Sequence, residues 1–395
     1  MKALVIAPQP FFSPRGTPFS VYYRTLITSE LGVDVDLLTY GEGQDVDIPN
    51  VRIVRIPRFK ALGNVKTGPS ALKLFLDVFI IMKTLSLLIR NRYDFVHAHE
   101  EAIFFCRFLK PIFRFKLIYD MHSSLPQQLT NFNFTKSKTL IGVFTWLENT
   151  CIRNADAVIT ICPALADYVD KVIGKDEKHL LIENSIFDEV KLAEANVQAK
   201  QSRSQLDESP IELPSDKKFV VYTGTLESYQ GIDILIPAFR KVVNTCPDAF
   251  LLVVGGSEQQ VSTFEAQAQK EGIMANCIFT GRVPQKLAKH YNKLASVILS
   301  PRSAGTNTPL KVYEQLASGK PLVATRIYSH TQVLDENVAF LVEPEADDMA
   351  QGITRALLEQ DVSLAKVTNA KGLYEAKYSR KAYITKMRRL MELVK

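Results

Sequence analysis

In the stretch SAGTNTPLKVYEQLASGKPLVAT, Ser303 to Thr325, a small polar loop runs straight into a helical pattern that stops at Ser318-Gly319-Lys320-Pro321. Proline in a first helical turn wastes no donor, so Pro309 predicts a helix start with Thr308 as its N-cap. The unpaired amides of that turn and the positive end of the helix dipole suit a phosphate. Lys311 falls in the same turn, and Glu314 lies six residues past the predicted cap. A carboxylate there can accept hydrogen bonds from the two hydroxyls of a ribose. A plain helix-surface glutamate is the competing reading.

Three more apolar runs in the second half end in small residues. YTGTLESYQG carries Gly224, Thr225, Gln230 and Gly231, VVGGSEQQ carries Gly255 and Gly256, and FTGRVP carries Arg282 and Val283, which could face a base. Glycine lets backbone approach a ligand closely. In the first half, IYDMHSSLPQQ places His122 two residues after Asp120, on the same side of an extended strand. His122 alone reads as a structural histidine. HAHE, His97 to Glu100, could open a metal site with His122 and His330, the pattern of a barrel hydrolase, but the Gly loops and the Asn307-Thr308-Pro309 start are then unexplained. The Asp-x-Asp pairs at Asp34–Asp36 and Asp45–Asp47 fall in an apolar strand pattern and a polar loop, neither suited to a metal. SGKP lacks the upstream glycine and the Ser/Thr of a P-loop.

The elements that must position these residues alternate from end to end. ALVIAP, VDLLTY, VRIVRIP, FVHAH, KLIYDMH, AVITIC and HLLIEN read as strands, as do KFVVYTGT, AFLLVVGG, CIFTG, SVILSP, PLVAT and AFLVEP. Helix-length segments separate them, which predicts parallel strands buried on both faces, in α/β domains that bind ligands at the strands' carboxyl ends. The 395 residues exceed one ordinary core. A polar stretch near 186–215 divides the chain into domains at 1–185 and 216–375, with a helix over 376–395 that packs back across the seam.

Composition sets the class. Hydrophobic residues make up 46%, charged residues 23%, and the net charge is +6. The segment from Arg52 to Lys116 holds thirteen basic residues against four acidic ones. That excess suits an anionic membrane face or a lipid-linked phosphate, or is simply a solvated basic face. Five scattered cysteines argue against a disulfide framework and a cysteine zinc site. Leu74–Ile89 is interrupted by Asp77 and Lys83, whereas a membrane span needs about 20 mostly uncharged residues. A cytoplasmic protein resting on the inner membrane face is expected.

These residues together resemble the family-4 (group 1) retaining glycosyltransferases. GTNTPLKVYEQLASGKPLVAT is similar to their donor-site segment, and YTGTLESYQGIDILIPAF to the first strand and helix of their donor domain. IYDMHSSLPQQ is similar to the acceptor-domain loop with a functional histidine, and PFFSPRGTPFSVYYRTL to the N-terminal glycine loop. The resemblance implies a GT-B fold: two doubly wound Rossmann-like domains facing each other across a cleft. It implies Glu314 on the ribose, Gly16 near the diphosphate and His122 near the transferred group. Donor contacts are expected from Gly224, Thr225, Gln230, Gly231, Gly255, Gly256, Arg282, Val283, Arg302, Thr306, Asn307, Thr308 and Leu310. The family's Glu-x7-Glu motif has Thr306 at its first glutamate, and its two diphosphate-binding cations fall on Thr225 and Gln230. Lys311 is expected to compensate, with Arg302 beside the same loop and Arg15 next to the N-terminal glycine loop. The implied reaction moves a sugar from a nucleotide sugar, UDP-linked by preference, to a saccharide or lipid-linked acceptor. It retains configuration and uses neither metal nor cofactor, and nucleic acid is not a partner. A non-catalytic nucleotide-sugar-binding relative and a nucleotide-sugar epimerase of the same fold are the alternatives.

Overall fold

The computed structural model describes residues 1–13, 16–59, 63, 65, 70–126, 137–184, 187 and 211–395. Most of the predicted 186–215 divider, and Arg15, lie outside the described residues. The chain forms two compact units. One comprises Met1–Lys200 with Arg380–Lys395, the other Gln201–Ser379.

The first unit is built on a seven-stranded parallel sheet of order β3-β2-β1-β4-β5-β6-β7. The strands are β1 (Lys2–Ala7), β2 (Asp34–Thr39), β3 (Val51–Arg55), β4 (Phe95–His99), β5 (Lys116–Met121), β6 (Ala157–Thr160) and β7 (His179–Leu181). Helices α1 (Gly16–Glu30), α2 (Ala71–Arg90), α3 (Ala102–Phe113), α4 (Lys138–Asn154) and α5 (Pro163–Ile173) connect them. Val96, Ala98, Leu117, Tyr119 and Met121 share one core with residues of α2, α3, α4 and α5. With side chains alternating along each strand, His97, His99 and Asp120 are presented on the opposite face.

In the second unit a six-stranded parallel sheet has the order β10-β9-β8-β11-β12-β13. Its strands are β8 (Lys218–Thr223), β9 (Ala249–Val254), β10 (Cys277–Phe279), β11 (Val297–Ser300), β12 (Leu322–Thr325) and β13 (Phe340–Val342). The helices are α6 (Ile232–Thr245), α7 (Glu258–Lys270), α8 (Gln285–Leu294), α9 (Leu310–Ala317), α10 (Tyr328–Thr331), α11 (Ala346–Leu358) and α12 (Gln360–Lys377). Ile232, Leu235, Ile236, Phe239 and Val242 of α6 repeat at helical spacing and are all buried.

Both sheets have a topological switch point, where two neighbouring strands connect onward in opposite directions. It falls between β1 and β4 in the first unit and between β8 and β11 in the second. The predicted terminal helix over 376–395 is broken. Residues up to Lys377 belong to α12, and α13 (Arg380–Leu393) starts a new helix grouped with the first unit, where it packs on α1.

Candidate active site

In the second unit the loops after β8 and β11 meet at the switch point. Gly231 has φ 72°, and a Cβ there would lie 1.9 Å from the Pro301 carbonyl oxygen, so only glycine allows the loop after β8 to touch the loop after β11. Gly255 has φ 124°, and its Cβ would fall 1.9 Å from the Gly224 oxygen, which ties the β9 loop to the same place. The Gly255 N–H donates to Gly281, carrying the contact on to the loop of Arg282 and Val283. Arg282 is exposed and Val283 half-buried.

Helix α9 begins at Leu310, one residue later than predicted. Pro309 is the N-cap, extended at φ −64° and ψ 136°, and no side chain caps this end. Thr308 is therefore not the cap: the extended ψ of Pro309 keeps the ring outside the helix and makes it the half-in residue. The Thr308 Oγ1 is buried, and no described residue offers it a hydrogen bond. The same holds for Lys311 Nζ, which sits 4.2 Å from the centroid of the Tyr222 ring and beside Gly224. Burial, helped by the Arg302 charge, pushes the Lys311 ammonium down to about 7. A buried ammonium without a hydrogen bond to any described residue is poised to pair with an anion.

The positions that would hold cations in the glycosyltransferase pattern are bonded to each other, since Gln230 Nε2 donates to Thr225 Oγ1 at 3.3 Å. Arg302 is committed to its own loop: Nε donates to the Ala304 oxygen at 2.5 Å, and the guanidinium lies 5.1 Å from the Tyr229 ring centroid. Thr306 is exposed, and its carbonyl accepts from Gln332 Nε2 at 2.6 Å. Asn307 and Leu310 are half-buried at the helix start. Burial raises the Glu314 carboxyl above its ordinary range, against the charge of Lys289.

The first unit holds a second polar cluster. Asp120 is fully buried, and its Oδ2 accepts from Arg24 Nε at 2.9 Å and lies 3.0 Å from His97 Nε2. His122, just past β5, is 3.5 Å from Asp120 Oδ1, and its Nε2 is 2.9 Å from His99 Nδ1. Burial alone would raise the Asp120 pKa, yet Arg24 and the histidines outweigh it and hold the carboxyl well below its usual range. Burial pushes His122 down to about 4, with Asp120 opposing. His97, His99 and Asp120 are close enough to ligate a metal. Arg24, however, already supplies the positive charge at Asp120, so the geometry is that of a hydrogen-bond network. His330 plays no part in it: it is buried in the second unit, with Nε2 2.9 Å from Ser300 Oγ and Nδ1 2.8 Å from the Thr325 carbonyl oxygen. The barrel-hydrolase pattern thus fails, as two open sheets separate its supposed ligands. Asp36 is bound by Arg52 and Tyr93, and Asp45 by Arg55. Gly16 is the exposed first residue of α1.

Sequence reasoning missed Arg24 and Tyr383, whose hydroxyl accepts from Arg24 Nη1. The available signal was one arginine inside the otherwise uncharged run FSVYYRTLI.

Two family models match, one in each unit: the glycosyl transferase 4-like domain over residues 27–185, and glycosyl transferases group 1 over residues 204–373. Together the two matches span most of the chain, and both are models of glycosyltransferases. An uncharacterised glycosyltransferase of Methanocaldococcus jannaschii is 23% identical over 88% of this chain and 86% of its own length. A phosphatidyl-myo-inositol mannosyltransferase of Mycobacterium tuberculosis is 27% identical over 46% of this chain and 48% of its own. The Anabaena protein HepE, solved in complex with UDP, superposes with a TM-score of 0.68 at 16% identity, covering 99% of both chains. This glycosyltransferase has the two parallel-sheet α/β domains of the GT-B fold.

Proposed function

We propose that this glycosyltransferase moves a hexose from a UDP-sugar to a saccharide or lipid-linked acceptor, with retention of configuration and without a metal, in glycolipid or cell-surface polysaccharide synthesis. The observation that carries the reading is the buried Lys311 Nζ beside Gly224, one residue into α9, to which no described residue offers a hydrogen bond. Its charge, with the free amides of α9, would stabilise the diphosphate as it leaves, which is electrostatic catalysis. Glu314 would hold the ribose hydroxyls, and His122 would contact the transferred sugar or its acceptor. The UDP complex of HepE and the phosphatidylinositol acceptor in the mycobacterial enzyme's name support the choice of donor and acceptor.

A membrane-borne acceptor also fits the helical layer of α2, α3 and α4. Leu74, Ile89, Ile112 and Trp146 of these helices are each more than 60% exposed. The two acidic residues of the three helices are engaged internally: Asp77 accepts from Tyr40, and Glu148 from Ser124 and the Leu125 amide. The charges left to face outward on these helices are basic. No helix among the described residues is long and apolar enough to cross a membrane, so the contact would be peripheral.

Calorimetric titration with UDP, GDP, ADP and dTDP tests the donor site. UDP is expected to bind best, and Lys311→Ala to weaken it by about 10- to 100-fold, the loss of one charged hydrogen bond. Equal UDP affinity in Lys311→Ala would refute this role.

A further inference from the structure

Residues 301–308 carry Arg302, Thr306, Asn307 and Thr308 from the end of β11 to the start of α9, outside any helix or strand. Side chains on and beside the short helix α10 hold this loop at both ends. At its start, His330 Nε2 lies 2.9 Å from Ser300 Oγ, and Nδ1 lies 2.8 Å from the Thr325 carbonyl oxygen and 3.1 Å from Thr325 Oγ1. Thr325 Oγ1 in turn donates to the Arg302 carbonyl. Toward its end, Gln332 Nε2, at the C-cap of α10, donates to the Thr306 carbonyl at 2.6 Å. Ser300, Thr325 and His330 are all fully buried.

The partners place every proton in this chain of bonds. A carbonyl oxygen can only accept, so His330 Nδ1 carries a hydrogen. Burial pushes the ring down to about 4, against the bond to Thr325 and helped by the charges of Lys311 and Arg302, so it is neutral near pH 7. Nε2 is then a lone pair that takes the Ser300 hydroxyl hydrogen. Thr325 Oγ1 must give its own hydrogen to Arg302, whose carbonyl again can only accept. Both ring nitrogens are satisfied, and the opposite tautomer would set a lone pair against the Thr325 carbonyl. His330 thus brackets the carboxyl ends of β11 and β12, which are neighbours in the sheet.

We propose that His330, Thr325 and Gln332 are positioning residues for the donor loop: they hold residues 301–308 so that Thr308 Oγ1 and the first amides of α9 meet the diphosphate. Thr308 Oγ1 is buried and bonded to no described residue, which leaves its hydroxyl for a phosphate oxygen. The three act through the loop and not by contact with the nucleotide. The inference rests on the reading of this loop as the diphosphate site.

UDP calorimetry, nitrogen-15 histidine NMR and amide hydrogen exchange on the full chain test it. Wild type is expected to show His330 as the neutral Nδ1–H tautomer from pH 8 down to pH 6. Thr325→Val keeps the branched shape and removes the hydroxyl, and should weaken UDP binding about three- to tenfold, the worth of one hydrogen bond. His330→Asn, which loses the tie to Ser300, should do the same. Combined with Thr308→Val, the losses should not multiply: Thr325→Val/Thr308→Val should bind UDP within about twofold of Thr308→Val alone. Thr331→Ala, on the same short helix and bonded to its own backbone, should leave UDP affinity unchanged. A role in fold stability alone would lower the melting temperature of Thr325→Val and spare its UDP affinity. An Nε2–H tautomer in wild type, wild-type affinity in Thr325→Val, or multiplied losses in the double variant would overturn the proposal. Absence of UDP binding by wild type would instead count against the donor reading, and exchange without nucleotide would still decide the bracket. Faster exchange at residues 302–308 in Thr325→Val supports it, and unchanged exchange overturns it.

Discussion

Lys311 carries the strongest physical tension at the residue scale. Below its pKa of about 7 it is a buried cation, and above it a buried amine that no described residue satisfies. A diphosphate removes the tension by pairing with the charged form. The sign of the linkage follows. Binding raises the Lys311 pKa, so above about pH 7 the complex must take up a proton that the free protein lacks. UDP affinity should therefore fall as pH rises from 7 to 9, and the binding heat at pH 8 should vary with the ionisation enthalpy of the buffer. Calorimetry in two buffers checks both, and Lys311→Ala should abolish both effects. Lys311 and Glu314 were singled out by their spacing from the predicted helix start, and His122 by its place two residues past Asp120 at a strand end. Arg24 and Tyr383 were not, since they are 359 positions apart and no local pattern links them.

Among the elements, every run read as a strand is a strand, because parallel strands covered on both faces are continuously apolar. The start of α9 was misplaced by one residue, as Pro309 resembles a first helical residue in sequence while its ψ keeps it outside the helix. The charges Asp77 and Lys83 that interrupt Leu74–Ile89 were legible, but which of them faces outward was not. Nothing local in the sequence marked Asp77 as turned inward to Tyr40, away from Lys83 and Arg90 on the same helix. If α2, α3 and α4 form a bilayer-facing surface, the protein should float with vesicles rich in phosphatidylglycerol and less so with neutral ones. Replacing Ile112 and Trp146 with serine should release it, since each buried CH2 is worth about 0.8 kcal/mol. Equal recovery with both vesicle types, or no effect of the double substitution, would remove the membrane from the account.

For the whole molecule, the same device appears twice: a parallel sheet in which two neighbouring strands connect onward in opposite directions, with polar residues gathered at its carboxyl ends. In the second unit those ends carry glycines, the start of α9 and Lys311, which suit a nucleotide diphosphate. In the first they carry a buried histidine network around Asp120. The chain returns to its first unit at Arg380–Lys395, so the unit that holds His122 is completed only by the last residues of the sequence. The number of domains and their sheet class were readable from the alternation of apolar runs. The return of the final helix was readable only as an amphipathic pattern, since Tyr383, Met387, Leu390, Met391 and Val394 fix which face is buried and not what it is buried against. The central claim is transfer with retention, and one measurement addresses it directly: nuclear magnetic resonance of the product formed from an α-linked UDP-hexose and a glycolipid acceptor. The account predicts a new α-glycosidic bond, with loss of turnover in Lys311→Ala. A β-linked product, or a wild-type rate that Lys311→Ala leaves unchanged, would contradict it.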